Sequence, residues 1–297
     1  MAQVAIITAS DSGIGKECAL LLAQQGFDIG ITWHSDEEGA KDTAREVVSH
    51  GVRAEIVQLD LGKLPEGAQA LEKLIQRLGR IDVLVNNAGA MTKAPFLDMA
   101  FDEWRKIFTV DVDGAFLCSQ IAARQMVKQG QGGRIINITS VHEHTPLPDT
   151  SAYTAAKHAL GGLTKAMALE LVRHKILVNA VAPGAIATPM NGMDDSDVKP
   201  DAEPSIPLRR FGATHEIASL VVWLCSAWYS GCRMRRERLI QGNGFTPDDP
   251  AFSSRVVSAT SARLPPEPRP ESTRPSASNA DRDCATTAQS PDHQRNR

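Results

Sequence analysis

The sequence predicts an α/β protein built on a doubly wound parallel sheet. Three observations lead there. Six short runs rich in β-branched residues alternate with longer stretches of helical periodicity over residues 1–226. The runs are apolar, as strands must be when helices cover both faces of a sheet. The first run passes through the small residues Thr8-Ala9-Ser10-Asp11-Ser12-Gly13-Ile14-Gly15 straight into a helix. In such sheets the ligand crevice lies at the C-terminal ends of the strands.

The elements follow in order. Strand one is Val4–Thr8, and helical periodicity begins at Lys16 and runs to Gln25. Strand two, Ile29–Trp33, leads through His34 and Ser35 to a helix over Ala40–His50. Strand three, Ala54–Leu59, is followed by Asp60 and by a helix over Ala68–Leu78. Strand four, Val83–Val85, opens into Asn86-Asn87-Ala88-Gly89, and one long helix is expected over Phe101–Lys128. Strand five, Arg134–Thr139, ends beside Ser140, and a helix over Ala152–His174 carries Tyr153 and Lys157. Strand six, Ile176–Val181, leads to Pro183-Gly184, and a last helix covers His215–Ser226. No internal repeat at a fixed period is evident.

Composition narrows the function. With 42% hydrophobic residues in 297, the chain is an ordinary globular sequence. A net charge of -3 gives no basic field for nucleic acid. The five cysteines are scattered, odd in number and without a C-x-x-C pair, which suits reduced thiols in the cytoplasm. The N-terminus has no basic region before its first strand, and no apolar run reaches 18 residues, so neither export nor a membrane partner is expected. Composition breaks after Ser226: residues 227–297 hold no lysine, 11 arginines and eight of the 17 prolines. Residues 1–226 are therefore read as one domain. Residues 227–297 are read as an aberrant tail, largely disordered from about residue 253, with a composition that suits a shifted reading frame.

Two local patterns carry chemistry. A strand, a small-residue turn and a helix N-terminus make a pyrophosphate site, because backbone N–H groups and the positive helix end point at the anion. Gly13 permits close backbone approach, Gly15 lets the helix pack on the sheet, and Ala9 stands where a first glycine is usual. The second pattern is Ser140, Tyr153 and Lys157 in the spacing S-x12-Y-x3-K. Residues four apart on a helix share a face. An ammonium fixed beside a phenol favours phenolate and makes a tuned general acid or base.

Together, Thr8-x5-Ile14-Gly15, Asn86-Asn87-Ala88-Gly89, Ser140, Tyr153-x3-Lys157 and Pro183-Gly184 resemble the short-chain dehydrogenase/reductase family, in its shorter single-domain branch, over residues 1–226. The resemblance implies a Rossmann-like fold and hydride transfer between NAD(P) and a small carbonyl or alcohol. It implies that Tyr153 exchanges the proton with the substrate oxygen, that Lys157 lowers its pKa and holds the nicotinamide ribose, and that Ser140 holds the substrate oxygen. It places Thr8, Ser10, Ser12, Gly13, Ile14, Gly15, Asp60, Leu61, Asn87, Ala88 and Gly89 along the cofactor. Pro183, Gly184, Ile186 and Thr188 complete that set, with Thr188 at the carboxamide.

Two departures from the family pattern stand out. The family's fourth catalytic residue is an asparagine in V-N-x-x-G, and here Val110-Asp111-Val112-Asp113-Gly114 puts Asp111 in its place. A carboxylate accepts hydrogen bonds but donates none, and its charge opposes phenolate formation. The expectation is that Asp111→Asn preserves or raises turnover. The family's closing strand is echoed only by Leu239–Phe245, which leaves strand seven, and with it the family's homo-oligomer, in doubt.

No acid occupies Thr32 or Trp33, and His34 and Ser35 sit where relatives using NADP offer groups to the 2′-phosphate, so NADP is preferred over NAD. A substrate loop is expected from Met190 to Phe211, acidic at Asp194, Asp195, Asp197, Asp201 and Glu203, which disfavours a strongly anionic substrate. His142, Glu143 and His144 are candidates for the pocket wall, and two histidines without further ligand spacing do not make a metal site. Two rivals stay open: a 3-oxoacyl thioester reductase, and a dinucleotide-binding sensor without turnover.

Overall fold

The computed structural model describes residues 2–226 and the strand Arg238–Ile240. Among them, the strands are β1 (Val4–Ile7), β2 (Asp28–Trp33), β3 (Ala54–Gln58), β4 (Val83–Asn86), β5 (Gly133–Ile138), β6 (Ile176–Pro183) and β7 (Arg238–Ile240). They form one sheet in the order β3-β2-β1-β4-β5-β6-β7, parallel throughout. The order reverses between β1 and β4, which opens a crevice at their C-terminal ends.

The helices are α1 (Gly13–Gln24), α2 (Glu37–Ser49), α3 (Gln69–Leu78), α4 (Phe101–Phe108), α5 (Ala115–Gln129), α6 (Ser151–Leu171) and α7 (Thr214–Cys225). Every residue of β1 is buried, and successive side chains serve opposite cores. Ala5 and Ile7 join α1 and α7, whereas Val4 and Ile6 join α3 and α5. That two-sided burial is the reason the strand is apolar at each position rather than alternating. Acids pin the strand starts: Asp82 accepts from the Val4 N–H at 2.8 Å and from Arg80, and Asp28 accepts from the Arg53 N–H at 2.8 Å.

Two expectations change. The single helix over Phe101–Lys128 is two helices joined by a π-helical turn, Thr109–Gly114. Within that turn Gly114 backs onto Leu61, where a Cβ would come within 2.8 Å of Leu61 Cδ1. Strand seven is present as three residues, with Leu239 paired to Ala182 and Ile240 to Pro183. The rest of the Leu239–Phe245 echo, and the tail expected to be disordered, lie outside the described residues.

Candidate active site

The phosphate turn is built by hydrogen bonds that fix its backbone. Thr8 Oγ1 accepts from the Asn87 and Ala88 N–H groups, both at 2.9 Å, and so ties the ends of β1 and β4 together. Asn87 Nδ2 donates to the Thr8 and Ala9 carbonyls at 3.1 and 2.9 Å. The Ser10 hydroxyl donates to the Ile7 carbonyl and accepts from the Thr32 N–H, and Thr32 Oγ1 accepts from the Ala9 N–H. Ala9 has φ +50 and Gly13 φ +54, so the turn twice enters the left-handed region. At Ala9 this costs about 1 kcal/mol that glycine would not pay. Gly15 is dictated by space instead, because a Cβ there would run into the Ala9 carbonyl and the Asn87 amide.

This turn fits a pyrophosphate. Ser12 precedes α1 in extended conformation without a side-chain cap, and no acid lies in the helix's first turn. The first helical N–H groups have no partner within a helix, which suits them to an anion. Gly13 also faces Thr188 and Pro189 at 3.5–3.8 Å, measured from a Cβ built on it, so the loop after β6 crosses directly over the turn. Two side chains from the sequence-predicted cofactor set are turned inward. Ser10 is fully buried in its ties to β1 and β2, and Leu61 is buried in the core against Gly114. Any contact these two residues make to a cofactor therefore falls to their backbone groups.

The second half of the crevice holds Ser140, Tyr153, Lys157 and Asp111. α6 delivers Tyr153 and Lys157 one turn apart, with Lys157 Nζ 5.3 Å from the centre of the Tyr153 ring. Lys157 is 3% exposed and Asp111 is 0% exposed. Lys157 Nζ donates to the Ile138 carbonyl at 3.2 Å and lies 2.9 Å from Asp111 Oδ2. Burial by itself would push the lysine pKa down. The Asp111 carboxylate, with Tyr153 and Glu143, outweighs it and holds the ammonium above its ordinary value. Asp111 Oδ1 accepts from the Ala90 N–H at 2.7 Å, and Gly89 passes over the pair, where a Cβ would approach both charged groups to 3.3 Å. Asp111 is thus the buried counterion of Lys157 and not an isolated charge beside Tyr153.

Ser140 closes β5 and starts the short turn Val141–Glu143, and its Oγ accepts from the His142 N–H at 3.2 Å. With a lone pair so engaged, the hydroxyl proton is left to donate to a substrate oxygen. The His142 ring stands edge-on to Tyr153, 6.2 Å between centres at 72°. Glu143 does not line the pocket: it is buried against α6 at Gly161 and pairs with His144 at 3.2 Å.

At the far end, His34 Nε2 lies 3.5 Å from Asp60 Oδ1. Asp60 also meets Lys63 at 3.0 Å, and that lysine's hydrogen bond holds the carboxyl below its ordinary range. Ser35 is exposed beside His34, and Asp36 caps α2 through the Gly39 N–H at 2.9 Å. In the substrate loop the acids expected to repel anions are engaged locally. Asp194 accepts from Ser196, Asp195 from Thr214, Asp197 from Asp194, Glu203 from Ser205, and Asp201 pairs with Arg209. Arg210 pairs with Glu216 of α7 through two 3.0 Å bonds.

Sequence reasoning missed the Ile138 carbonyl and the Ala90 N–H. It also missed a buried chain behind the site, in which Asn86 donates to Ser119 and Asn137, and Asn137 to Thr164, each at 2.8 Å. Polar residues inside apolar strands β4 and β5 were the available signal.

This constellation is matched by known proteins. The family model described as enoyl-(acyl carrier protein) reductase matches residues 8–237. The chain belongs to the short-chain dehydrogenase/reductase family, whose members bind NAD(P), and is an oxidoreductase acting on alcohol or carbonyl groups. The Escherichia coli K12 protein named uncharacterized oxidoreductase YohF is 91% identical over 254 residues, 85% of this chain and 99% of its own. The crystal structure of acetoin dehydrogenase YohF from Salmonella typhimurium is 77% identical with TM-score 0.75, covering 77% of this chain and 91% of that one. The 3-oxoacyl-[acyl-carrier-protein] reductase FabG of Aquifex aeolicus is 39% identical over 225 residues, 75% of this chain and 90% of its own. Among the described residues no helix is long and apolar enough to cross a membrane.

Proposed function

We propose that this chain reduces a small, neutral hydroxyketone and oxidises the corresponding alcohol, using Ser140, Tyr153 and Lys157. One observation carries the reading: a wholly buried ammonium, Lys157, is held 5.3 Å from the Tyr153 ring by the Asp111 carboxylate and the Ile138 carbonyl. The nicotinamide, when bound, supplies or accepts the hydride. In reduction, Ser140 Oγ–H donates to the carbonyl oxygen and orients it. Tyr153 passes its phenolic proton to that oxygen as the carbon receives hydride, and the Lys157 charge stabilises the phenolate left behind. In oxidation the phenolate takes the hydroxyl proton back.

The name of the Salmonella relative, acetoin dehydrogenase, supports a substrate of this size with oxygens on adjacent carbons, the hydroxyketone being in that name the alcohol oxidised. The FabG relative supports the acyl thioester alternative. Docking of an acidic carrier calls for free cations at the rim. Of the three cations in the substrate loop, Arg209 and Arg210 are bound to Asp201 and Glu216, and Lys199 alone is exposed without an ion pair among the described residues. For the cofactor we favour NADP by a small margin. Trp33 offers no carboxylate to a ribose diol, whereas His34 and Ser35, which follow β2 where relatives using NADP offer groups to the 2′-phosphate, are exposed. Asp36 and Asp60 close by keep that margin small.

The reading is tested by reducing acetoin and an acyl thioester with NADPH and with NADH. Turnover of acetoin, and its loss by at least about 1,000-fold in Tyr153→Phe, is the expected result. Nicotinamide binding without turnover of either carbonyl would leave the sensor instead.

A further inference from the structure

We propose that His142 is the second oxygen-binding group of the pocket and selects substrates with a hydroxyl on the carbon next to the reacting carbonyl. This rests on the hydride-transfer reading above. His142 is joined to Ser140 through its backbone, its N–H donating to Ser140 Oγ at 3.2 Å. Its ring stands 6.2 Å from that of Tyr153. It therefore flanks the place where a substrate oxygen must sit to reach both Ser140 and Tyr153.

The ring's tautomer follows from its surroundings. Nδ1 lies 2.8 Å from the Thr145 carbonyl oxygen. A carbonyl only accepts, so in the neutral ring Nδ1 carries the proton and Nε2 keeps its lone pair. Nε2 lies on the other side of the ring from Thr145, and among the described residues it takes no hydrogen bond. The 6.2 Å between the ring centres of Tyr153 and His142 suits adjacent oxygens on a two-carbon unit, one turned to each residue. A hydroxyl donates to Nε2, but a second carbonyl, itself an acceptor, gains nothing there. His142 thus favours a hydroxyketone over a simple ketone in the reductive direction. The neighbouring His144 has no such part, since it is held by buried Glu143 at 3.2 Å.

The test compares acetoin with 2-butanone, which lacks only the hydroxyl. In His142→Phe, kcat/KM for acetoin is expected to fall by about tenfold or more while that for 2-butanone stays within about threefold. His142→Gln, which keeps an acceptor, is expected to recover most of the loss. Equal losses on both ketones, or no loss on either, overturn the role of His142 while leaving hydride transfer standing. A wild-type protein that turns over neither ketone overturns the hydride-transfer reading and this inference with it. Unchanged nicotinamide binding in both variants confirms that the crevice is intact and assigns any change to the substrate.

Discussion

Asp111 stands where the family pattern has asparagine, and the structure gives it a partner that the sequence did not show. The expectation that its charge works against the Tyr153 phenolate assumed a free carboxylate, but Asp111 and Lys157 form a buried ion pair at 2.9 Å. Removing one partner of such a pair leaves the other charge uncompensated. Asp111→Asn keeps an acceptor for the Ala90 N–H, so a loss near the low end, about 3 kcal/mol, is expected. Calorimetry would read it as a fall in Tm of roughly 6–12 °C. Turnover at saturating substrate is expected to persist or rise, because the ammonium then acts on Tyr153 without its counter-charge. A collapse of kcat in a folded protein would refute that. The pH dependence follows from the raised Lys157 pKa. The pair's stabilisation is fully present below the ordinary lysine value of 10.5 and is lost as pH rises through the higher folded value. The stability gap between the two proteins should therefore be flat from about pH 6 to 9 and close only in strong alkali. Tyr153 and Lys157 were legible because helical geometry fixes residues four apart. The Asp111–Lys157 pair was not, because it joins elements 46 positions apart, between which sequence spacing states no distance. The inward turn of Ser10 and Leu61 was hidden for the same reason.

At the level of elements, six strands and their helices were legible to within a few residues, since β-branched runs and 3.6-residue periodicity are local signals. α1 starts at Gly13 rather than Lys16 because its first turn consists of the phosphate-turn residues themselves, which carry no apolar periodicity. The π turn at Thr109–Gly114 was not legible. Apolar positions recur on both sides of it, and one extra residue in a turn barely changes that pattern. The packing of the helices makes its own prediction. Cys18 of α1 and Cys225 of α7 are buried between those helices, and Cys118 of α5 is buried on the other face. Burial pushes the Cys118 and Cys225 thiols up to about 12 and raises Cys18 as well. The thiolate is the reactive form. In a Cys232→Ser/Cys284→Ser background, a disulfide reagent at about pH 8 is expected to find no fast-reacting thiol until denaturant is added. Fast modification of the native protein would contradict the packing of α1 against α7 or of α5 against the sheet.

Among the described residues, the sheet separates two large cores that share strands but no buried side chain, beside a small third cluster of Ile107, Ala152 and Ala156. Leu22 of α1 lies in one and Leu74 of α3 in the other, both with no exposed surface. The predominantly apolar strands announced this arrangement, because a sheet buried on both faces has little use for polar alternation. Each leucine replaced by alanine loses its transfer energy and leaves a cavity, at about 2–5 kcal/mol. Sites without shared partners add to within about 0.5 kcal/mol. Leu22→Ala/Leu74→Ala should therefore cost the sum of the two single losses, provided the protein still unfolds as one cooperative unit. That sum consumes much of the roughly 5–15 kcal/mol available to a typical fold. Urea unfolding of the wild type, both single variants and the double variant measures it. A double loss that departs from the sum by more than about 1 kcal/mol would mean that strain passes through the sheet from one core to the other. The cofactor turn, which sits on β1 between them, would then be exposed to packing changes on either face.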